Sequence, residues 1–153
     1  MSGLISTFIG EFSNSGSITV GGAGYGIGLS VGVLSGNVEN SGQITAPGGF
    51  GISVNGTTLT GNISNSGTIS VGSTGINVGG DNTGAGTLTG NISDSGTINA
   101  SIAGISVGGL TTLNGGITNS GLISAQDGLL VVNVGSLGGN ISNSGTISAS
   151  TIK

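Results

Sequence analysis

Gly61-Asn62-Ile63-Ser64-Asn65-Ser66-Gly67-Thr68-Ile69-Ser70-Val71, followed by Gly75-Ile76-Asn77-Val78, is the stretch whose reading decides the fold. Its apolar residues alternate with small polar ones, Ile69 with Val71 and Ile76 with Val78, which is the period of a strand. No 3.6-residue pattern is present, and each glycine would cost a helix up to about 1 kcal/mol. Reading outward, the tripeptide at its centre recurs as Asn14-Ser15-Gly16, Asn40-Ser41-Gly42, Asn65-Ser66-Gly67, Asp94-Ser95-Gly96, Asn119-Ser120-Gly121 and Asn143-Ser144-Gly145, at spacings of 26, 25, 29, 25 and 24 residues. Two positions before each corner lies an apolar residue: Phe12, Val38, Ile63, Ile92, Ile117 and Ile141. Four positions after it lies an isoleucine: Ile18, Ile44, Ile69, Ile98, Ile123 and Ile147. Upstream of each corner sits Leu34, Leu59, Leu88, Leu113 or Leu137, with Phe8 in that place in the first unit.

A third apolar stretch separates the corners. It reads Gly51-Ile52-Ser53-Val54, Gly75-Ile76-Asn77-Val78 and Gly104-Ile105-Ser106-Val107, with looser versions at Ile27-Gly28-Leu29-Ser30-Val31 and Leu130-Val131-Val132-Asn133-Val134. A strand such as Gly67–Val71 buries only two side chains and cannot form a core alone. Stacking equivalent strands about 4.8 Å apart lines up Ile18 through Ile147 in one inward row, with Val20, Ala46, Val71, Ala100, Ala125 and Ala149 in the next. The reading is therefore one all-β domain over residues 1–153. It is a parallel β-helix, or β-solenoid, of about six coils with three short strands per coil; each coil takes 24 to 29 residues.

The corner glycine is expected to take a positive φ, and stacked asparagines are expected to hydrogen-bond along their row. Asp94 then reads as a surface variant in that row. Extra length is confined to Gly79-Gly80-Asp81-Asn82-Thr83-Gly84-Ala85-Gly86, a loop on one edge of the array. Asn55-Gly56 and Asn114-Gly115 are hairpin-like signals read here as loops.

Composition narrows function. Of 153 residues 36 are glycine, one is proline and none is cysteine or histidine; the net charge is −4 with a single cation, Lys153. A mean hydropathy of +0.41 and regularly placed Ile, Val and Leu argue against a disordered chain. One lysine cannot neutralise a phosphate backbone or an anionic membrane surface, so nucleic acid is not an expected partner. No run of 18 apolar residues predicts a membrane-spanning helix. The N-terminus lacks the basic and apolar regions of a signal peptide. Without His or Cys the commonest general base and the thiolate metal sites are missing, and neither enzymatic activity nor a cofactor is expected.

The unit Gly61 to Ser70 followed by Gly75 to Val78 resembles the repeats of bacterial autotransporter passenger and haemagglutinin-type exoproteins. The resemblance spans nearly the whole chain. It implies a right-handed parallel β-helix located outside the cell or on its surface. The chain departs from that pattern in having no translocator barrel.

Several motifs look like chemistry and are accounted for by the repeat. Gly28-Leu29-Ser30-Val31-Gly32 and Gly104-Ile105-Ser106-Val107-Gly108 match the nucleophile-elbow pattern, which needs a strand-to-helix turn and a histidine. Glu39 and Asp94 lie in neighbouring register positions two units apart, about 10 Å along the axis, a separation that an inverting carboxylate pair could span. No aromatic platform accompanies them. Gly79-Gly80-Asp81-Asn82 resembles one copy of a calcium-binding nonapeptide, where several are needed. Asn55, Asn62, Asn91 and Asn140 begin N-x-S/T triplets, three of them at one repeat position. The residues flanking the isoleucine row, among them Ser17/Thr19, Thr68/Ser70 and Thr146/Ser148, resemble the hydroxyl faces of ice-binding solenoids, with Gln43, Asn99 and Leu122 breaking the regularity.

Neither end carries a polar cap. Ten residues follow Asn143 and Asn14 stands fourteen into the chain, so a second copy joined head to tail keeps the 24-residue step. This predicts a subunit that stacks on itself into an extracellular fibre, with Leu4, Phe8 and Phe12 at one end meeting Ile141, Ile147 and Ile152 at the other. The alternative is a segment of a longer surface adhesin that binds a glycan or protein through its loops. An ice-binding solenoid ranks third.

Overall fold

In the computed structural model, residues 5–79 and 86–151 are described. They are all β, and every strand pairing is parallel. Strands stack in three sheets, one per side of the coil. The corner strands Phe12–Asn14, Val38–Asn40, Ile63–Asn65, Ile92–Asp94, Ile117–Asn119 and Ile141–Asn143 form the first. The strands after the corner, Ser17–Thr19, Gln43–Ala46, Thr68–Val71, Thr97–Ala100, Leu122–Ala125 and Thr146–Ala149, form the second. The third, broad side begins a coil at Tyr25, Phe50, Thr74, Ala103 and Asp127. Two sides thus carry six rungs, and the described chain completes about five full turns.

Register follows the repeat. Ile18, Ile44, Ile69, Ile98, Ile123 and Ile147 stand directly over one another, as do Phe12, Val38, Ile63, Ile92, Ile117 and Ile141. The leucine row runs Phe8, Leu34, Leu59, Leu88, Leu113 and Leu137. All three rows point inward and, in the middle coils, are fully buried in one continuous core.

The broad side differs from the sequence reading in two ways. Its strands in the second and third coils are long, Tyr25–Ser35 and Phe50–Thr60, and run through the leucine position. Asn55-Gly56 therefore lies inside a strand instead of a loop, because the coil before it supplies an extended partner there, Ser30 for Asn55 and Val31 for Gly56. In the sixth coil the inward residues are Leu129 and Val131, paired with Ile105 and Val107. The register of that stretch starts at Asp127-Gly128, one position earlier than Leu130 implies. The cue is Gly128, which aligns with Gly26, Gly51, Gly75 and Gly104. A Cβ at any of these five would press on the methyl group of the isoleucine across the core: Ile44, Ile69, Ile98, Ile123 or Ile147. The interior is too narrow there for any side chain.

The corner glycine is also needed for a reason other than the one expected. A positive φ falls not on Gly67 but on Gly61, at +136°, just before the corner strand. Gly67 is required by close approach: a Cβ on it would collide with the carbonyl of Gly42 in the coil before. The corner amides bond straight across that gap, Ser66 N–H to Asn40 O at 2.8 Å and Thr68 N–H to Gly42 O at 2.9 Å. The bend thus leaves these backbone groups paired from coil to coil.

Candidate functional site: the asparagine ladder and the open end coils

Consecutive residues of a strand face opposite sides of the sheet, so the corner asparagine, two after the buried Ile63 or Ile92, also faces inward. Asn40, Asn65, Asp94 and Asn119 are all buried. Side-chain amides link coil to coil: Asn14 Nδ2 donates to Asn40 Oδ1, Asn40 to Asn65, Asn65 to Asp94, and Asn119 to Asn143, each at 2.7 Å. The row forms the hydrogen-bonded ladder that stacking predicts. Asp94 is not a surface variant: it is 1% exposed and sits within this ladder. Burial raises its pKa, opposed in part by the hydrogen bonds from Asn65 and Gly96.

The same alternation separates Asp94 from Glu39. Glu39 stands in the neighbouring row, with Ser13 and Ser64, and is half-buried on the outer face. The two carboxyls lie on opposite faces of one sheet and do not form a pair across a cleft. Ser30 and Ser106 of the two elbow-like matches lie mid-strand, in Tyr25–Ser35 and Ala103–Gly108, and not at the strand-to-helix turn that a nucleophile elbow needs. Among the described residues no group of three or more acidic side chains could hold a metal ion, and no helix is long and apolar enough to cross a membrane. Asp81 and most of its loop lie outside the described residues.

A second set of asparagines escaped the sequence reading. Asn37 Oδ1 accepts from Asn62 N–H at 3.0 Å, Asn62 Oδ1 from Asn91 N–H at 2.9 Å, and Asn91 Oδ1 from Gly116 N–H at 2.9 Å. These side chains stitch together the bends before the four corner strands that begin at Val38, Ile63, Ile92 and Ile117. The signal was present as the recurring asparagine of the N-x-S/T triplets, which here has a backbone-pairing role within the repeat.

The remaining feature is the pair of open end coils. Among the described residues, Phe12–Asn14 and Ser17–Thr19 at the first each pair on one edge only. Phe12 is 36% exposed, and its ring lies 4.9 Å from that of the partly buried Phe8. Phe12, Ser13, Asn14, Ile18, Gly26, Ile27 and Gly28 line a concavity of about 340 Å³ that is the open end of the core. At the last coil, Ile141–Asn143 and Thr146–Ala149 also pair on one edge only. Ile141 there is 47% exposed and Ile147 half-buried. Of the residues that the sequence marks for assembly, Phe8 and Phe12 are brought together at one end, and Ile141 and Ile147 at the other; Leu4 and Ile152 lie outside the described residues.

Fold and ladder together define a parallel β-solenoid repeat protein. No family model, curated protein or solved structure matches the chain.

Proposed function

We propose that the protein is a structural subunit that stacks head to tail, last coil on first coil, into a thin fibre outside the cell. The observation that carries this reading is that both end rungs expose the same motif in the same register. Asn143, Ile141 and Ile147 occupy the rows of Asn14, Phe12 and Ile18. A second copy placed one rung below the first would cover Phe12 with Ile141, seat Ile147 against the concavity, and pair the free strand edges. Such a contact is heterologous and does not close, so it propagates. With a net charge of −4, little repulsion opposes it. The extracellular setting rests on the resemblance to autotransporter-type repeats.

Gly16 provides the discriminating experiment. A Cβ added there would meet nothing within 4 Å, whereas the equivalents Gly42, Gly67, Gly96, Gly121 and Gly145 each face the carbonyl of the coil before. In a fibre Gly16 would face Gly145 of the neighbouring copy. Electron microscopy of the purified protein should show fibres, and Gly16→Ala should give folded monomers without them. Wild-type protein that stays monomeric at high concentration would overturn this function and favour the adhesin-segment alternative.

A further inference from the structure

The asparagine ladder has a direction. In each intact step Nδ2 of one side chain donates to Oδ1 of the next coil. The same Nδ2 reaches the carbonyl two residues on, from Asn40 to Gly42 O at 3.3 Å and from Asn119 to Gly121 O at 3.4 Å. Oδ1 in turn accepts a main-chain N–H of its own corner, as Asn119 does from Gly121 at 3.2 Å. Asp94 reproduces the accepting half: its Oδ1 receives Asn65 Nδ2 at 2.7 Å and Gly96 N–H at 3.3 Å. Its Oδ2 takes the place of the missing Nδ2, is buried, and has no hydrogen-bond partner. By the register of Asp94 over Asn119, that atom faces what Nδ2 faces elsewhere: the Gly96 carbonyl and Asn119 Oδ1, both acceptors. The Gly121 N–H on Asn119 Oδ1 holds the Asn119 amide in this orientation.

We propose that Asp94 is the ladder's proton-carrying link: Oδ2 holds a proton and donates it to Asn119 Oδ1, so the ladder is continuous from Asn14 to Asn143 when the carboxyl is neutral and broken after the fourth corner when it ionises. A carboxylate at this place would set a charge against two acceptor oxygens in a buried site, an arrangement that costs more than leaving a neutral group unpaired. Among the described residues no opposite charge offsets it. The strands above and below, Ile63–Asn65 and Ile117–Asn119, carry no titratable side chain. Nor do the strands across the core, Thr68–Val71, Thr97–Ala100, Leu122–Ala125, Thr74–Val78 and Ala103–Gly108. Glu39 is two coils away on the outer face. Burial accordingly raises the Asp94 pKa.

The sign of the pH dependence follows. The folded chain holds this proton more tightly than the unfolded chain. Its contribution to stability is complete below the ordinary aspartate value, about 3.9. It is lost as pH rises from there through the raised folded value, and is level above that. Asp94→Asn puts a permanent N–H donor where the proton was and removes that loss.

The experiment compares thermal unfolding of wild type and Asp94→Asn across this range, alongside the 13C chemical shift of the Asp94 carboxyl carbon. The other carboxylates are common to both proteins, so the difference isolates Asp94. The wild-type Tm should fall behind that of the variant as pH rises, by a few degrees at neutrality. The carboxyl carbon should titrate above the ordinary aspartate range. Two Tm curves that run parallel, or an Asp94 carbon that reports a carboxylate down to that ordinary range, would overturn the proposal; Asn119 would then have turned its amide to donate to an ionised Asp94. The carbon titration needs only wild-type protein and decides the matter even if the variant folds poorly.

Discussion

Gly67 and Gly16 stand in the same Asn-Ser-Gly tripeptide and carry different constraints. What differs is the coil beneath them. Gly67 is stacked on Gly42, and its missing Cβ is what lets the two corners approach to hydrogen-bonding distance. Gly16 has open space in that direction. Gly67→Ala must therefore push two coils apart at the corner and should lower stability by about 1–3 kcal/mol, the range for overpacking a tight interior. Gly16→Ala should leave the Tm of the isolated subunit within about a degree of wild type, since a surface change away from contacts is worth only a few tenths of a kcal/mol. Chemical denaturation of the two variants checks this. Equal losses at both positions would mean that the glycine is needed for its backbone conformation and not for close approach.

A single strand is the smallest element, and none is stable by itself. Thr97–Ala100 is four residues long, and only one of its side chains, Ile98, is fully buried. That side chain touches the rows of the coils above and below and faces the glycine row across the core. Ile98→Ala should accordingly cost about 2–5 kcal/mol, as for other large-to-small changes in a close-packed core. The corresponding change at the half-buried Ile147 should cost markedly less in the monomer. Guanidinium unfolding of both variants measures the gap. A loss at Ile98 no larger than at Ile147 would show that the central coils do not act as one packed unit.

For the whole molecule, stability comes from nearest-neighbour stacking along one axis, and among the described residues the two end rungs pair on one side alone. End-to-end growth would add six rungs per subunit at about 4.8 Å each, an axial repeat of roughly 29 Å. Ile147→Lys places an ammonium in the terminal rung and should shorten or abolish fibres while leaving the central coils folded. Fibre diffraction or electron microscopy with circular dichroism on the same samples reads both effects. Fibres of wild-type length from Ile147→Lys would place the contact elsewhere on the molecule.

The all-β class, the parallel stacking and the register of three buried rows were legible in the amino-acid sequence. They follow from period-2 alternation within units and a near-constant step between units, and stacking is the only way that two buried side chains per strand can become a core. The corner spacing also placed Asn14 through Asn143 in one row. The direction a side chain faces, and what stands opposite it, belonged to the tertiary structure. An aspartate in a row of asparagines has the composition of a surface variant. Only the alternation of the corner strand, together with the buried Ile92 two residues before it, turns Asp94 inward. The long strand through Leu59 likewise needed the neighbouring strand Tyr25–Ser35 to hold Asn55-Gly56 extended. Local sequence specifies which residues repeat. The surroundings that bury Asp94 and make Gly67 indispensable are created by the neighbouring coils, which local sequence does not contain.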